Sequence, residues 1–285
     1  MAYVTLLSTD NYLEGVLVLN ESLRLCKSQY RLYVLVSSKV TSAVHDTLEK
    51  AGIRKINTES IDLPEEIRLA NSRSDYHRHW AGVFDKLLVF SLCQFQKIVY
   101  LDSDILVIKN IDQLFEKPHM SAVNADSYPG NETCLDLNAG VMVIEPEPNL
   151  TGRLIALLPE AFEQEKQWRM AAGRPISMGV QSVINMFWRE WTTKSELHLD
   201  RKYNVIVNYL HYFKRGLDYR WRGPDGIHAL HFIGEVKPWM FTGVNFLRRV
   251  AWLLIRRQMS ELVAFTAYVA VLRSARRHLR KIRSG

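Results

Sequence analysis

The 285-residue chain is 47% hydrophobic and 24% charged, which supplies a full core for one large or two small domains and excludes a fold that depends on staples. Its three cysteines, Cys26, Cys93 and Cys134, are far apart and form no Cys-x-x-Cys, so they exclude a disulfide framework and point to a reducing compartment. The net charge is +7, but ten Lys or Arg against Glu261 put +9 on residues 246–285 and leave −2 on residues 1–245, which gives no reason to expect the body to bind nucleic acid.

Tyr3–Leu7 reads as a buried strand, followed by polar turn residues Ser8 to Asn11 and a helix from about Tyr12 to Leu25. The N-terminus runs into that strand with no basic segment, apolar core or cleavage site ahead of it, so export by a leader is not expected. Arg31–Val36 gives a second strand, Thr41–Ala51 a second helix and Lys55–Thr58 a short third strand. This alternation predicts a parallel sheet covered by helices, and the first half resembles a nucleotide-binding half-sheet. From Asp62 to Gly82 the pattern dissolves into charged, irregular sequence, whose first part reads as a mobile loop. Val83–Cys93 returns as a helix carrying Lys86 among apolar positions, where a lysine ordinarily snorkels to the surface.

From Ile98 to Ile108 an apolar run breaks for Asp102-Ser103-Asp104 and then resumes. Two like charges one residue apart repel in a core, so the pair belongs past the C-terminal edge of a buried strand, where open α/β sheets bind ligands. Carboxylates at i and i+2 on a tight turn can face one hard cation, which in turn can hold a diphosphate. Asp-x-Asp arises often by chance; the apolar, β-branched flanks on both sides are what separate this pair from two solvated turn carboxylates.

Beyond the pair come Ile111–Phe115, a strand at Met120–Val123, a loop from Ala125 to Leu137 leading into Asn138-Ala139-Gly140, and a strand at Gly140–Ile144. Residues 150–171 read as helical, Gly179–Trp188 as another helix and Ile227–Ile233 as a last core strand. That strand runs into a segment from His231 to Trp239 in which His231, Gly234 and Lys237 recur every third residue. On a loop crossing the sheet edge, His can complete a metal shell, Gly lets backbone amides approach phosphate and Lys supplies counter-charge. By itself His231 would read as a satisfied core histidine; beside the Asp pair it reads as a ligand.

Five marks stand in order: Thr5 to Tyr12, Phe84-Asp85-Lys86-Leu87, Leu101 to Asp104, Leu137 to Val141, and His231 to Trp239. Together they resemble the retaining glycosyltransferases of family eight, the group of glycogenin, bacterial lipooligosaccharide galactosyltransferases and galactinol synthase, over residues 3 to about 241. The resemblance implies a single GT-A type nucleotide-sugar-binding domain over residues 1–245, with a Rossmann-like α/β fold and a mixed, mainly parallel sheet. A basic amphipathic helical tail, 246–285, follows it. It implies Mn²⁺ or another divalent cation on Asp102, Asp104 and His231, with Ser103 between the carboxylates also at the donor. Gly234 and Lys237 would contact the diphosphate of a UDP-sugar, and Leu7, Thr9 and Tyr12 its uracil. Lys86, Asp126, Asn138 and Gly140 fall at the donor sugar, and Gln181 matches a glutamine near the anomeric carbon.

Asp102, Asp104, Gln181 and Lys237 are thus the catalytic candidates, the cation and Lys237 stabilising charge that builds on the leaving group. Retention of configuration comes from the resemblance alone. The sequence offers no clear carboxylate nucleophile, so attack from the face of departure and a covalent sugar intermediate both stay open. Relatives carry an acidic residue directly before the glutamine, whereas this chain has Val180.

In the tail, Arg273, Arg276, Arg277 and Arg280 fall at i, i+3, i+4 and i+7, while Leu272, Ala275, Leu279 and Ile282 line another side. Such a helix suits an anionic membrane surface, or packs on the body with a solvated basic end. Val250–Leu272 is interrupted by Arg256, Arg257 and Glu261, too charged for a comfortable span. The reading is a cytoplasmic hexosyltransferase, peripheral on a membrane, using a nucleotide-sugar donor and a saccharide or glycolipid acceptor. Two rivals stay open. An aspartyl-nucleophile phosphatase would want Thr or Val where Leu106 stands and leaves the His231 segment unexplained. A catalytically silent binding module would be held at the membrane by its tail.

Overall fold

The computed structural model describes residues 1–73, 78–126, 134–213, 221 and 225–284. Its first half alternates as expected: β1 (Ala2–Leu7), α1 (Leu13–Leu25), β2 (Leu32–Ser37), α2 (Ser42–Lys50) and β3 (Arg54–Thr58). Every residue of β1 is buried, and all but Thr5 are apolar or aromatic, as a strand covered on both faces requires. Its alternate side chains feed two separate cores. Val4 and Leu6 join Tyr100 on one face of the sheet, while Tyr3 and Leu7 join Val99 and Leu101 on the other.

The segment read as a mobile loop holds a helix, α3 (Glu65–Arg73), whose charged surface masks the buried Ile67 and Asn71. Asn71 fixes it to the body by a reciprocal pair of hydrogen bonds with the backbone of Met178, at 3.0 and 2.9 Å. Residues 74–77 of that stretch lie outside the described residues. The helix expected at Val83–Cys93 is instead 3-10 in character and runs from Arg78 to Ser91.

Next come β4 (Ile98–Leu101), β5 (Ile105–Val107), β6 (Ala122–Asn124) and β7 (Leu137–Ile144). Two expectations shift here: β6 starts two residues late, after Met120 takes a left-handed turn at φ 63°, and Asn138-Ala139-Gly140 is part of β7, not the end of a loop. The helix expected over residues 150–171 is two, α4 (Leu150–Ala156) and α5 (Leu158–Ala171), since Pro159 has no amide to continue the ladder. After α6 (Val180–Phe187), β8 (Val205–Ile206), α7 (Leu210–Phe213) and β9 (Ala229–His231), two helices close the chain: α8 (Gly243–Ile255) and α9 (Met259–Ser284).

The main sheet has the order β3-β2-β1-β4-β7-β6. β1 to β4 are parallel, and β7 runs antiparallel to both β4 and β6, a mixed, mainly parallel sheet. β9, expected as a core strand over Ile227–Ile233, is only three residues long and lies in a second sheet, β5-β9-β8. There His231 stands opposite Ile105. The described part of the segment expected as a tail, residues 246–284, is mostly helical, but it is not a single helix. It breaks between α8 and α9, where Arg257 has φ 55°, and α9 lies on the body with Phe265, Tyr268 and Leu272 buried. Ser274 and Arg276 of α9 bond Glu21 and Glu14 of α1 at 2.6 and 2.7 Å.

Candidate active site

After Leu101 the chain leaves the main sheet, and at Ile105 it enters the small one; Asp102-Ser103-Asp104 is the crossing. The backbone of the crossing is pinned from both sides. The Asp102 N–H donates to the Gly140 carbonyl at 2.9 Å, and the Phe232 N–H donates to the Asp104 carbonyl at 3.0 Å. α1 presses against the turn so closely that a Cβ on Gly15 would stand 2.4 Å from the Ser103 carbonyl oxygen.

One oxygen from each carboxylate and a ring nitrogen of His231 lie within 4.8 Å of one another. Nε2 of His231 is 3.2 Å from Asp104 Oδ1 and 3.7 Å from Asp102 Oδ2. A chain of hydrogen bonds fixes which tautomer faces them. The Gly140 N–H donates to Asn138 Oδ1 at 2.9 Å, so that atom is an acceptor. It also receives Asn204 Nδ2 at 2.8 Å, which turns Asn204 Oδ1 toward His231 Nδ1, 2.8 Å away. Nδ1 therefore carries a proton, which leaves Nε2 as the ring nitrogen that faces the two carboxylates and could offer its lone pair to a cation there. Three lone pairs converging on one small volume fit a divalent cation, and two carboxylate oxygens with one imidazole are a donor set suited to Mn²⁺, Mg²⁺ or Zn²⁺. Gly140 is required at its position: a Cβ there would come within 2.6 Å of the His231 ring. Asn204 escaped the sequence reading, because nothing in Tyr203-Asn204-Val205 distinguishes it from an ordinary turn asparagine.

Two buried lysines flank the cluster. Lys86 does not snorkel: its Nζ is 2.7 Å from Asp102 Oδ1 and donates to the Ala139 carbonyl at 3.2 Å. Lys237 Nζ is 2.5 Å from Asp104 Oδ2 and donates to the Phe232 carbonyl at 3.0 Å. Burial works to raise the Asp104 carboxyl, but Lys237 and His231 outweigh it and hold that carboxyl well below the usual range. Burial likewise opposes the Lys237 charge, and Asp104 overcomes it and raises the ammonium above its ordinary value. The Tyr100 hydroxyl donates to Asp102 Oδ1 at 2.9 Å and is pushed well up by burial and that carboxylate.

The cluster sits in an open groove of ≈ 1900 Å³ that also takes in Ser103, Asn138, Gln181 and Gly234. Gln181 accepts from the Ala139 N–H at 3.0 Å, and Gly234 is exposed on a turn at φ 95°. Tyr12 stands at the groove wall, edge-on to Trp239 at 5.8 Å, and its ring lies 5.7 Å from the Lys237 ammonium. Leu7 and Thr9 are not groove-lining residues: Leu7 is packed in the core between sheet and helices, and Thr9 opens the turn before α1. Asp126 lies apart from the metal cluster, in an ion pair with Arg201, and its second oxygen is buried without a partner among the described residues. Residues 127–133 of the loop beyond it lie outside the described residues.

A parallel-stranded sheet with such a cluster at the carboxyl end of its central strand defines the GT-A type of glycosyltransferase fold. The chain belongs to glycosyl transferase family 8, whose model matches residues 3–243. It is 32% identical to Glycogenin-1 of Homo sapiens over 249 residues, covering 85% of this chain and 63% of that one. It is 29% identical to Inositol phosphorylceramide glucuronosyltransferase 1 of Arabidopsis thaliana, over 92% of this chain and 47% of that one. The chain thus spans less than two thirds of these relatives. Among solved structures, galactosyltransferase LgtC shares the fold with a TM-score of 0.57 at 14% identity, covering 96% of both chains. The glycosyltransferase GlyE of Streptococcus pneumoniae TIGR4 aligns at 0.54 and 22%, over 96% of this chain and 63% of that one. Neither fold nor family supports the phosphatase or silent-module readings.

Proposed function

We propose that the chain is a Mn²⁺-dependent retaining hexosyltransferase that moves a hexose from a UDP-linked donor to a hydroxyl of a saccharide or glycolipid. The observation that carries this is the convergence of Asp102, Asp104 and the fixed tautomer of His231 between two buried lysines. When bound, the cation supplies positive charge to the donor diphosphate. Lys237 keeps its proton, and its flexible stem can turn from Asp104 to a phosphate oxygen as negative charge builds there. Gly234 offers bare backbone beside it, and Tyr12 at the groove wall takes the uracil. Lys86, Asp126, Asn138 and Gly140 face the donor hexose, and Gln181 lies at the anomeric carbon. Among the described residues no carboxylate is a clear nucleophile, which favours attack by the acceptor hydroxyl on the face the diphosphate leaves.

The catalytic machinery falls within residues 1–245. The +9 charge of residues 246–285 supports an anionic membrane surface as a partner, and the low cysteine count, three with no Cys-x-x-Cys, supports a cytoplasmic setting. Among the described residues no helix is long and apolar enough to cross a membrane. The test is hydrolysis of a panel of UDP-sugars with Mn²⁺ and with EDTA. Wild type is expected to release UDP with Mn²⁺ only, and Asp102→Asn or Asp104→Asn to lose at least ~100-fold, since a neutral amide cannot match the cation's charge. Equal rates in EDTA, or in either variant, would overturn the assignment.

A further inference from the structure

Exposed apolar side chains are not scattered over this molecule. Among the described residues, nine of the fifteen large hydrophobic side chains that are exposed fall between Val236 and Val263, within one short stretch of chain. Its centre is α8. That helix packs inward through Leu253, fully buried, and Phe246, which stacks on Phe265 at 5.5 Å. On the opposite side Val244, Leu247, Ala251, Leu254 and Ile255 follow at i, i+3, i+7, i+10 and i+11, one continuous outward stripe. Leu247 is 65% exposed and Ile255 80%. A helix apolar on both faces needs a cover on its outer one.

Charge says what covers it. Arg248, Arg256 and Arg257 border the stripe and are exposed, so the surface is apolar in the middle and cationic at its margin. Trp252 stands between stripe and groove with the guanidinium groups of Arg249 and Arg256 at 4.7 and 5.5 Å from its ring. At 13 residues the helix is about 20 Å long, too short for the roughly 30 Å of a hydrocarbon core, so it lies along a surface and does not cross one. α9 has less to offer. Its apolar side is already buried against the body through Leu272 and Ala275, and Arg276 is spent on Glu14.

We propose that α8 is an in-plane anchor that lies on an anionic bilayer, its apolar stripe among the acyl chains and Arg248, Arg256 and Arg257 at lipid phosphates. This rests on the reading of an anionic membrane as partner and moves the contact from the arginines of α9 to α8. Phe241 and Trp252 line the catalytic groove as well. Docking therefore opens the groove at the headgroups, within reach of a hydroxyl carried by a membrane lipid.

The experiment is co-sedimentation of the full chain with vesicles of phosphatidylcholine, and of phosphatidylcholine mixed with phosphatidylglycerol. Wild type is expected to bind the mixed vesicles and not the neutral ones. Leu247→Glu with Ile255→Glu should cut that binding by ~10-fold or more, with the circular dichroism spectrum and UDP-sugar hydrolysis unchanged because both side chains point to solvent. Arg273→Glu with Arg277→Glu should cost less. If the α8 variant binds as wild type while the α9 variant does not, the anchor is wrong and the membrane reading stands. If wild type binds neither vesicle, both fail. A dimer in sedimentation velocity that the α8 substitutions dissociate, without vesicle binding, would assign the stripe to a second copy instead.

Discussion

Lys237 Nζ stands 2.5 Å from Asp104 Oδ2, both side chains at most a tenth exposed, across 133 residues of sequence. The ammonium occupies the side of the carboxylate that is not turned to His231, so it serves as the counter-charge of the ligand-free site. Removing it leaves Asp104 buried with one partner fewer, which costs about 3–5 kcal/mol. Lys237→Met should therefore melt lower than wild type in EDTA, and much of the loss should be recovered when Mn²⁺ replaces the missing charge. The same variant should bind Mn²⁺ more tightly yet turn over donor at least ~100-fold more slowly, for want of charge on the leaving group. Calorimetry and UDP release read the two effects separately. A melting point equally low with and without Mn²⁺ would count against this account.

Asn204 acts at one remove. It holds the Nδ1 proton of His231 and so aims Nε2 at the carboxylates. Asn204→Ala should lower Mn²⁺ affinity by about 10- to 100-fold, the usual effect of losing such a support, and the loss in turnover should be partly restored at high Mn²⁺. Gly140→Ala, whose Cβ would push into the imidazole, should do the same or worse. Mn²⁺ titration of donor hydrolysis separates both from a simple loss of fold.

Val180, the first residue of α6, is buried and lines the groove next to Gln181. If it stands where the resemblance implies a carboxylate, its methyls would leave a sugar hydroxyl without an acceptor, at a cost of about 1–3 kcal/mol. UDP-N-acetylglucosamine or a deoxy donor is expected to outperform UDP-glucose and UDP-galactose in kcat/KM, and Val180→Asp to shift preference back to the plain hexose. The helix N-terminus welcomes that new charge. A ranking unchanged by the substitution would remove Val180 from donor choice.

Glu21 on α1 is buried and accepts hydrogen bonds from Arg24 at 2.7 Å and from Ser274 of α9 at 2.6 Å, with His278 at 3.5 Å. Burial works to raise its carboxyl, but the Arg24 and Ser274 bonds outweigh it and bring it from the ordinary 4.5 down to about 2. A depressed carboxyl stabilises the fold above pH 4.5, and that stabilisation drains away as pH falls toward 2. Glu21→Gln should lose about 1–3 kcal/mol at neutral pH, and its gap to wild type should close below pH 4.5. Denaturant midpoints of the two proteins across that range provide the check.

The main sheet was readable because β1, β2 and β4 carry near-continuous apolar runs and the Asp pair interrupts one of them at a strand end. Local pattern also put His231 and Lys237 among the candidates, whereas Lys86 read locally as a snorkelling lysine and entered only by the family resemblance. The second sheet was not readable. β5 and β8 have three and two residues, too few to show a period, and their pairing depends on β9, more than a hundred residues after β5. The 3-10 character of Arg78–Ser91 hides because an apolar spacing near three serves either helix. α3 was hidden by its charges, and Asn204 gains its role only from Asn138 and His231, both remote in sequence.

Three residues separate β4 from β5, yet the two strands belong to different sheets. A ligand that gathers Asp102 and Asp104 from this seam and His231 from β9 works as a rivet between them. Its binding free energy is added, by mass action, to the cost of prising the small sheet from the large one, and not to the fraying of β3 at the far edge. Loading the site thus becomes local stiffness. Backbone amides of β5 and β9 should exchange with solvent more slowly once donor and cation are present, so that the wall an acceptor meets is firm only when there is a sugar to hand over.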